Sequence, residues 1–283
     1  MKQSTIFTIA AALFVSTSAV AQINYPSTPK DNTVDEYFGV KVADPYRWLE
    51  DDTSEKTAQW VEAENKLTRD YLNSIPMRAK ILKRLKETAN FEKFGIPFEK
   101  NGKWYVHRND GLQNQYVLYQ MDRPDSPVKE QRVWLDPNKL STDGTVALKG
   151  THFSNNGRYM AYVISRSGSD WEEIYVKDCQ TGNDLQDHIL WAKFTNVTWL
   201  GDGFYYSAYD APEKGKETSA KNSVQKIYYH KIGTPQTDDQ LFYMNPTQPL
   251  RFYGVSVNKD ETVMFLTESG MDNGNNLFVR DLT

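Results

Sequence analysis

The sequence predicts a mainly β protein, an incomplete β-propeller preceded by an extended arm and two helices. Two observations lead to this fold class. A tight turn followed by an aromatic strand recurs along the chain, and these strands begin near Lys103, Arg158, Phe204 and Thr262. The step between repeats is about 45–60 residues, close to the length of a propeller blade of four strands. A generic antiparallel sandwich is the alternative, because it also has short strands at short spacing.

The first residues have the organisation of a secretory signal peptide. Lys2 supplies the basic start, residues 6–15 form a short apolar run, and the small residues 18–21 match a cleavage site. The apolar run is too short to span a bilayer. We therefore predict a signal peptide over residues 1–21 and a mature chain that starts near Gln22. The protein is expected to be exported, to the periplasm if its source is a Gram-negative bacterium.

Residues 22–90 are predicted to form an arm and two helices. Pro26 and Pro29 lock φ and favour an extended chain over residues 23–42. Apolar spacing and turn residues then predict a helical turn over 44–51, an amphipathic helix from Thr53 to about Leu72, and a second helix over Met77–Thr88. We interpret the basic residues of the second helix as a solvated face rather than a binding patch.

From Phe91 onward the apolar pattern alternates with a period of two residues, which is typical of strands. Residues 91–283 are therefore predicted to be an incomplete β-propeller. The predicted blades are strands 94–100, 103–108, 115–120 and 132–135; strands 151–153, 158–164, 171–177 and about 182–189; residues 194–243; and residues from 252 onward.

The last residues fall inside a predicted blade. Residues 280–283 match residues 177–181, which come just before the closing Gly182 of the second blade. A propeller needs at least about four blades to close. Three blades and a fraction leave unpaired strand edges. We therefore expect this chain to be the front part of a longer protein.

The composition argues against several classes of function. The chain has 33 Lys and Arg against 37 Asp and Glu, so no basic surface for nucleic acid is expected. It has no phosphate loop, no dinucleotide fingerprint and no pair of histidines with metal-ligand spacing, so neither a cofactor nor a metal site is predicted. The lone Cys179 excludes an internal disulfide and is interpreted as a bystander beside a turn.

No complete catalytic site is predicted from the residues. The nearest match to a Gly-x-Ser-x-Gly nucleophile elbow, Gly254–Asn258, lies in a strand pattern rather than at a strand-to-helix turn. The four histidines fall in or beside predicted strands and are interpreted as structural: His107, His152, His188 and His230. Nucleophilic catalysis needs a nucleophile, a base and an orienting acid. The sequence pattern does not bring three such groups together.

A series of motifs occurs in order after the signal peptide. They are Asp44–Asp51 (DPYRWLED), Gly111–Gln115 (GLQNQ) with Val117–Tyr119, Leu135–Asn138 through Asp143–Leu148, Ser167–Trp171 (SGSDW), Glu217–Ser219 and Tyr228–His230. Taken together, these motifs resemble the N-terminal part of the prolyl oligopeptidase family, serine endopeptidases that cut short peptides after proline. The resemblance covers everything after the signal peptide.

The resemblance implies a seven-bladed propeller, of which this chain holds about blades 1 to 4, and an α/β-hydrolase domain on which the arm and helices pack. The Ser, Asp and His of the triad are then expected in that C-terminal domain, and this chain alone is expected to be inactive. The complete protein is expected to hydrolyse short proline-containing peptides as a monomer, with the propeller gating access. No cofactor, nucleic acid or membrane is implied.

The resemblance also implies site residues. Phe194 matches the aromatic residue that lines the substrate pocket, where an aromatic wall suits a proline ring. Phe252 and Met271 match further pocket residues, and Phe252 is a departure if the family has methionine there. Asp170 matches an acid that faces an arginine of the hydrolase domain. On the residues alone, Phe194 equally fits a strand-end core aromatic, and Asp170 equally fits a turn or cap residue.

Two other functions stay open at this point. The related oligopeptidase that cleaves after basic residues needs acidic groups in its pocket, and the sequence has no clear acidic pair to supply them. An exported propeller that serves as a non-catalytic binding scaffold fits the absence of a triad equally well. Sequence beyond Thr283 would discriminate the enzyme from the scaffold, because a nucleophile elbow followed by Asp and His would identify the enzyme.

Overall fold

The computed structural model describes residues 23–270 and 274–283. The described residues divide into two compact units. One comprises the residues up to Leu49 together with 53–75, and the other comprises 50–52 together with 76–283. The predicted signal peptide lies outside the described residues, and the domain boundary predicted after residue 90 stays a prediction.

The first unit contains a β-hairpin within the predicted arm. Strands β1 (Val34–Tyr37) and β2 (Val40–Ala43) pair antiparallel. Phe38 and Gly39 form the turn, with φ of 52° and 82°. Two positive φ values in succession suit the twist of a two-residue hairpin. The sequence did not predict these strands, because phenylalanine rarely takes a positive φ.

A long helix completes the first unit. Helix α1 (Glu55–Ser74) begins and ends two residues after its predicted bounds. It starts at Glu55 because the Ser54 hydroxyl caps it, accepting a hydrogen bond from the Thr57 backbone N–H at 3.1 Å. The Thr57 hydroxyl donates to the carbonyl of Trp48 at 3.1 Å, and the Trp60 indole donates to the Thr28 hydroxyl at 3.0 Å. These bonds fix the preceding chain along the start of the helix.

The second unit begins with helix α2 (Arg78–Ala89), one residue from its predicted bounds at each end. The first sheet follows, with β5 paired to β6 and β6 to β7, and with β3 and β4 both paired to β5. Its strands are β3 (Lys93–Phe94), β4 (Phe98–Lys100), β5 (Lys103–Asn109), β6 (Val117–Met121) and β7 (Arg132–Leu135). The predicted first blade is therefore confirmed, except that its predicted strand 94–100 is two short strands, β3 and β4.

The second and third blades are antiparallel meanders that join into one eight-stranded sheet. The second blade holds β8 (Val146–Phe153), β9 (Tyr159–Arg166), β10 (Trp171–Asp178) and β11 (Asp184–Lys193); the third holds β12 (Thr198–Leu200), β13 (Gly203–Ala208), β14 (Lys226–Lys231) and β15 (Gln240–Met244). The junction between β11 and β13 is the single residue pair Ala192 and Ala208. The two blades thus share little backbone pairing.

The fourth sheet has three described strands, β16 (Phe252–Val257), β17 (Val263–Ser269) and β18 (Asn276–Asp281), in that order. Strands β4, β8, β12 and β16, one from each blade, border one cavity of about 330 Å³, whose lining includes Phe98, Phe153, Trp199 and Ser256. A common cavity at the innermost strands is the arrangement of a propeller axis. In the described part of the chain the sheets do not close into a ring.

The core lies between neighbouring sheets. One buried cluster joins the first and second blades through Tyr105 and Met160. A second joins the second and third blades through Ile174 and Phe204, and a third, which includes Ile227, joins the third and fourth blades. Burying apolar faces between successive sheets holds the blades together where backbone pairing between them is sparse.

Candidate functional site

The loops at one end of the blades carry an exposed pair of aromatic side chains. Phe194 follows the end of β11, and Phe252 begins β16. Their ring centroids are 5.6 Å apart and the rings meet edge to face. The two residues are 55% and 37% exposed. We call Phe194 and Phe252 the aromatic pair.

Phe194 is held in an unusual backbone conformation. Its φ is 52°, and Trp191 in the same segment has a φ of 59°. A positive φ is uncommon for a residue with a bulky side chain and persists only where the surrounding structure fixes it. Such outliers cluster at ligand sites. The core-aromatic interpretation of Phe194 is not what the structure shows, because most of the side chain lies outside the core.

Lys193 connects the aromatic pair to its surroundings. Its ammonium nitrogen lies 5.4 Å from the centre of the Phe194 ring and 5.0 Å from the Trp171 ring. The same nitrogen donates to the side-chain oxygen of Asn222 at 2.8 Å and lies 3.7 Å from a carboxylate oxygen of Asp170. A cation over aromatic faces is attracted by their electron density. Lys193 therefore joins three loops around the aromatic pair.

Asp170 lies in the turn between β9 and β10, with a side chain that is 66% exposed. Its carboxylate is directed toward Lys193 and leaves most of its surface open to solvent. The structure thus brings Asp170 close to Phe194 through a shared lysine. Its predicted pairing with an arginine of another domain stays a prediction, and Met271 lies outside the described residues.

The long segment 209–225 packs beside this cluster. The Trp171 indole donates to the backbone oxygen of Glu217 at 2.7 Å and meets the Trp191 ring edge to face at 5.3 Å. Gln225 is completely buried at the end of the segment and bonds to the backbone beside both members of the aromatic pair. Sequence reasoning missed Lys193 and Gln225, because their partners are about 30 residues away in the chain.

Two of the four histidines have carboxylate partners within the fold, and the interpretation of all four as structural stays a prediction. His188 bonds to Glu173 at 2.9 Å, and His230 is buried between Asp187 and Asp239. Burial lowers the pKa of both His107 and His152. Neither position shows the base paired with a nucleophile that acyl transfer requires.

Cys179 is a poor nucleophile in this fold. Burial raises the pKa of its thiol to about 11, with a further contribution from the charge of Asp178. The thiolate is the reactive form, so this thiol is largely unreactive at neutral pH. In the described part of the chain, no group of three or more His, Cys, Asp or Glu side chains is arranged to hold a metal ion. The geometry supports binding through aromatic contacts.

Among the described residues, no helix has the length and apolar character needed to cross a bilayer.

The fold and site together define a class of protein: a propeller domain that presents an exposed aromatic pair on the loops at one end of its blades. The chain belongs to the prolyl oligopeptidase family, because the model of that family's N-terminal β-propeller domain matches residues 26–283. The resemblance inferred from the motifs is therefore confirmed.

Relatives and solved structures agree with this family. The chain is 41% identical over 279 residues to a prolyl endopeptidase of Elizabethkingia meningoseptica, covering 97% of this chain and 39% of the relative. It is 34% identical to prolyl oligopeptidase A of Amanita bisporigera, covering 91% of this chain and 38% of the relative. This chain therefore spans less than half the length of these relatives.

A solved structure shows the same fold. Prolyl oligopeptidase B from Galerina marginata, bound to a 35-residue substrate of hydrolysis and macrocyclization, superposes with a TM-score of 0.74 at 30% identity. The match covers 92% of this chain and 39% of that chain. The mainly β prediction and the propeller prediction are both confirmed by this likeness.

Proposed function

We propose that this chain is the propeller part of a serine endopeptidase that hydrolyses short peptides on the carboxyl side of proline. Family membership over residues 26–283 is the observation that carries the proposal. The triad of Ser, Asp and His belongs to an α/β-hydrolase domain of the same protein, and the chain alone has no peptidase activity. The propeller restricts access to short peptides.

The aromatic pair contributes part of the substrate pocket in this proposal. A proline ring is apolar and flat-sided, so it packs well against an edge-to-face pair of phenylalanines. Phe194 and Phe252 already expose the apolar surface that such contact needs. Met271 is proposed to line the same pocket, and Asp170 to face an arginine of the hydrolase domain. The complete enzyme acts as a monomer without a cofactor.

The complete gene product tests this proposal. It is expected to contain a nucleophile elbow followed by Asp and His, and to cleave reporter peptides after proline much faster than after alanine or arginine. A complete product without a hydrolase domain, or one that ignores proline peptides, contradicts the proposal. Preference for arginine would favour the basic-residue oligopeptidase, and a propeller that only binds peptides would favour the scaffold.

A substitution in the aromatic pair tests the pocket. Phe194→Ala removes one wall of the pocket and is expected to raise KM for proline peptides about fivefold or more, because an aromatic contact contributes about 1 kcal/mol beyond its buried area. Leu241→Ala is the matched control, since Leu241 is 47% exposed on the outermost strand of the third blade. An unchanged KM in Phe194→Ala excludes Phe194 from the pocket.

We also propose that the protein is exported. The basic, apolar and small-residue order of residues 1–21 supports a cleaved signal peptide. N-terminal sequencing of the protein from fractionated cultures is expected to find it exported, in the periplasm or secreted, with Gln22 as its first residue. Recovery from the cytoplasm with Met1 intact contradicts export.

A further inference from the structure

Gln225 lies at a point where three blades meet. Its side chain is completely buried immediately before β14 of the third blade. The side-chain amide donates from Nε2 to the backbone oxygen of Lys193 at 3.0 Å. Its Oε1 accepts from the backbone N–H of Tyr253 at 2.7 Å. One carboxamide therefore spans the end of the second blade and the start of the fourth.

The two backbone groups that Gln225 bonds are the immediate neighbours of the aromatic pair. Lys193 precedes Phe194 in the chain, and Tyr253 follows Phe252. Hydrogen bonds at these positions fix the backbone from which each ring projects. The backbone of Phe194 depends on this hydrogen bond in particular, because its φ of 52° is unfavourable for a bulky residue.

Gln225 is itself held in place. The backbone N–H of Val224 donates to the carbonyl of Pro249 at 2.7 Å. Lys226 pairs with Ala208 on one side and with Met244 on the other. The residues on both sides of Gln225 are thus tied to the sheet, so its carboxamide can act as a rigid spacer.

Ser207 also connects the third blade to the backbone beside the aromatic pair. The hydroxyl of Ser207, in β13, donates to the backbone oxygen of Tyr253 at 2.9 Å. The backbone N–H of Ser207 donates to the Thr195 hydroxyl at 2.8 Å, and Thr195 follows Phe194. The third blade therefore holds both flanks of the aromatic pair, with Gln225 as the member that makes direct side-chain bonds to each.

We propose that Gln225 is a positioning residue that sets the separation of Phe194 and Phe252, and so sets the width of the apolar slot that these two rings offer to a peptide substrate. The inference about the slot rests on the proposed function. Gln225 does not touch the peptide in this account. It acts by keeping the two rings edge to face at a fixed spacing.

Gln225 can control the position of the aromatic pair because leaving buried backbone groups without a hydrogen-bond partner costs free energy. Replacing Gln225 by a residue without polar atoms leaves a buried N–H and a buried C=O without their partner. The local backbone of both phenylalanines is then free to relax toward water or other partners. A carboxylate at this position can still accept a hydrogen bond from the Tyr253 N–H but cannot donate one to the Lys193 carbonyl. It therefore retains one of the two hydrogen bonds.

Variants at position 225 test the proposal. Gln225→Met keeps the shape and loses both bonds, whereas Gln225→Glu keeps one. Gln120→Met is the matched control, because Gln120 is buried in the first blade and donates to the Tyr105 hydroxyl at 3.0 Å. Kinetics on a proline reporter and the ring-to-ring NOE of the aromatic pair are both measured with the complete enzyme, labelled selectively at phenylalanine for the NOE.

We expect Gln225→Met to raise KM about tenfold with kcat within about twofold of the parent, since the two hydrogen bonds that hold the backbone beside the aromatic pair are lost. Gln225→Glu is expected to lie between Gln225→Met and the parent, and Gln120→Met to match the parent. The NOE between Phe194 and Phe252 is expected to weaken in Gln225→Met alone. If Gln225→Met does not fold, Gln225→Glu is compared with the parent instead.

The outcomes separate the two proposals. A parent enzyme that does not cleave after proline refutes the proposed function, and the NOE still decides the role of Gln225. An NOE of parental strength in a folded Gln225 variant overturns the positioning role. A rise in KM that is equal in Gln225→Met and Gln120→Met also overturns it, because general loss of stability then explains the kinetics.

Discussion

At the scale of single residues, His230 is held through both of its ring nitrogens. Its ring is fully buried, with Nε2 3.0 Å from Asp187 of the second blade and Nδ1 2.6 Å from Asp239 of the third. Asp187 also accepts the Gly233 N–H, and Asp239 also accepts the Tyr206 hydroxyl. His230 therefore links two blades that share only one pair of backbone positions.

Charge on His230 is favoured despite burial. Burial by itself lowers the pKa of the ring, but hydrogen bonds to Asp187 and Asp239 and the charges of these carboxylates outweigh it and raise the pKa to about 9. The ordinary value is 6.5. Protonation therefore contributes stability that is complete below about pH 6.5 and is lost as the pH rises through about 9.

We predict that the free energy of unfolding falls by about 3 kcal/mol between pH 6.5 and pH 9.5, as the shift in the pKa of His230 requires. Urea unfolding at a series of pH values measures this change. His230→Asn leaves two buried carboxylates without a cation, so it is expected to destabilise the chain by about 3–5 kcal/mol at pH 6.5.

His188→Asn is the control for His230→Asn, since the His188 side chain is 38% exposed and bonds to Glu173 at the surface. Surface ion pairs contribute about 1 kcal/mol or less, so a small effect is expected. A parent protein whose stability is flat across this pH range contradicts the charged state of His230.

At the scale of elements, the close approach of strands β13 and β14 depends on a glycine. A Cβ added to Gly203 would lie 2.2 Å from the carbonyl oxygen of His230 and 2.6 Å from the Tyr229 ring. One of these atoms belongs to the backbone and cannot move without opening the sheet. Gly203 pairs with Lys231 at the end of this ladder, so a side chain here separates the two strands.

We predict that Gly203→Ala lowers the free energy of unfolding by about 3 kcal/mol or more, because overpacking against backbone forces the strands apart. Gly254→Ala is the matched control. Gly254 also lies in a strand, yet a Cβ there would meet nothing within 4 Å. Thermal unfolding of both variants measures the difference. Equal stabilities of the two variants would show that β13 and β14 tolerate a wider spacing.

The elements that could be predicted are those specified by nearby residues. The blades follow from turns such as Asn156-Gly157, where φ of Gly157 is 65°, and from alternation of apolar residues in the strands that follow. Helix α1 follows from its Ser54 cap. The β1–β2 hairpin was not predicted, since its turn places Phe38 at a positive φ.

The candidate site was predictable only in part, because its members come from distant positions. The resemblance pointed to Phe194 and Phe252, and the structure places their rings in contact. The partners of Lys193 and Gln225 depend on how the second, third and fourth blades pack. No local pattern specifies that packing. The same reason explains why the carboxylates around His230 could not be named from the sequence.

At the scale of the whole molecule, the described strands end on an open edge. β18 is the last strand of the fourth sheet and is exposed along its whole length. Leu277 and Val279 are each 62% exposed and project to the same side of the strand. A flat apolar edge strand with unpaired backbone groups is a template for pairing with another chain. The net charge of −4 on 283 residues gives little repulsion to oppose it.

We predict that this chain, produced by itself, self-associates through β18, and that Val279→Lys weakens the association about tenfold or more, because a lysine on an edge strand must be desolvated when a second strand pairs there. Light scattering after size-exclusion chromatography measures the mass as a function of concentration.

Leu250→Lys is the control, since Leu250 is 61% exposed in a loop and offers no strand edge. Association that is equal in the parent and in Val279→Lys, or that Leu250→Lys weakens as strongly, would place the contact elsewhere on the surface.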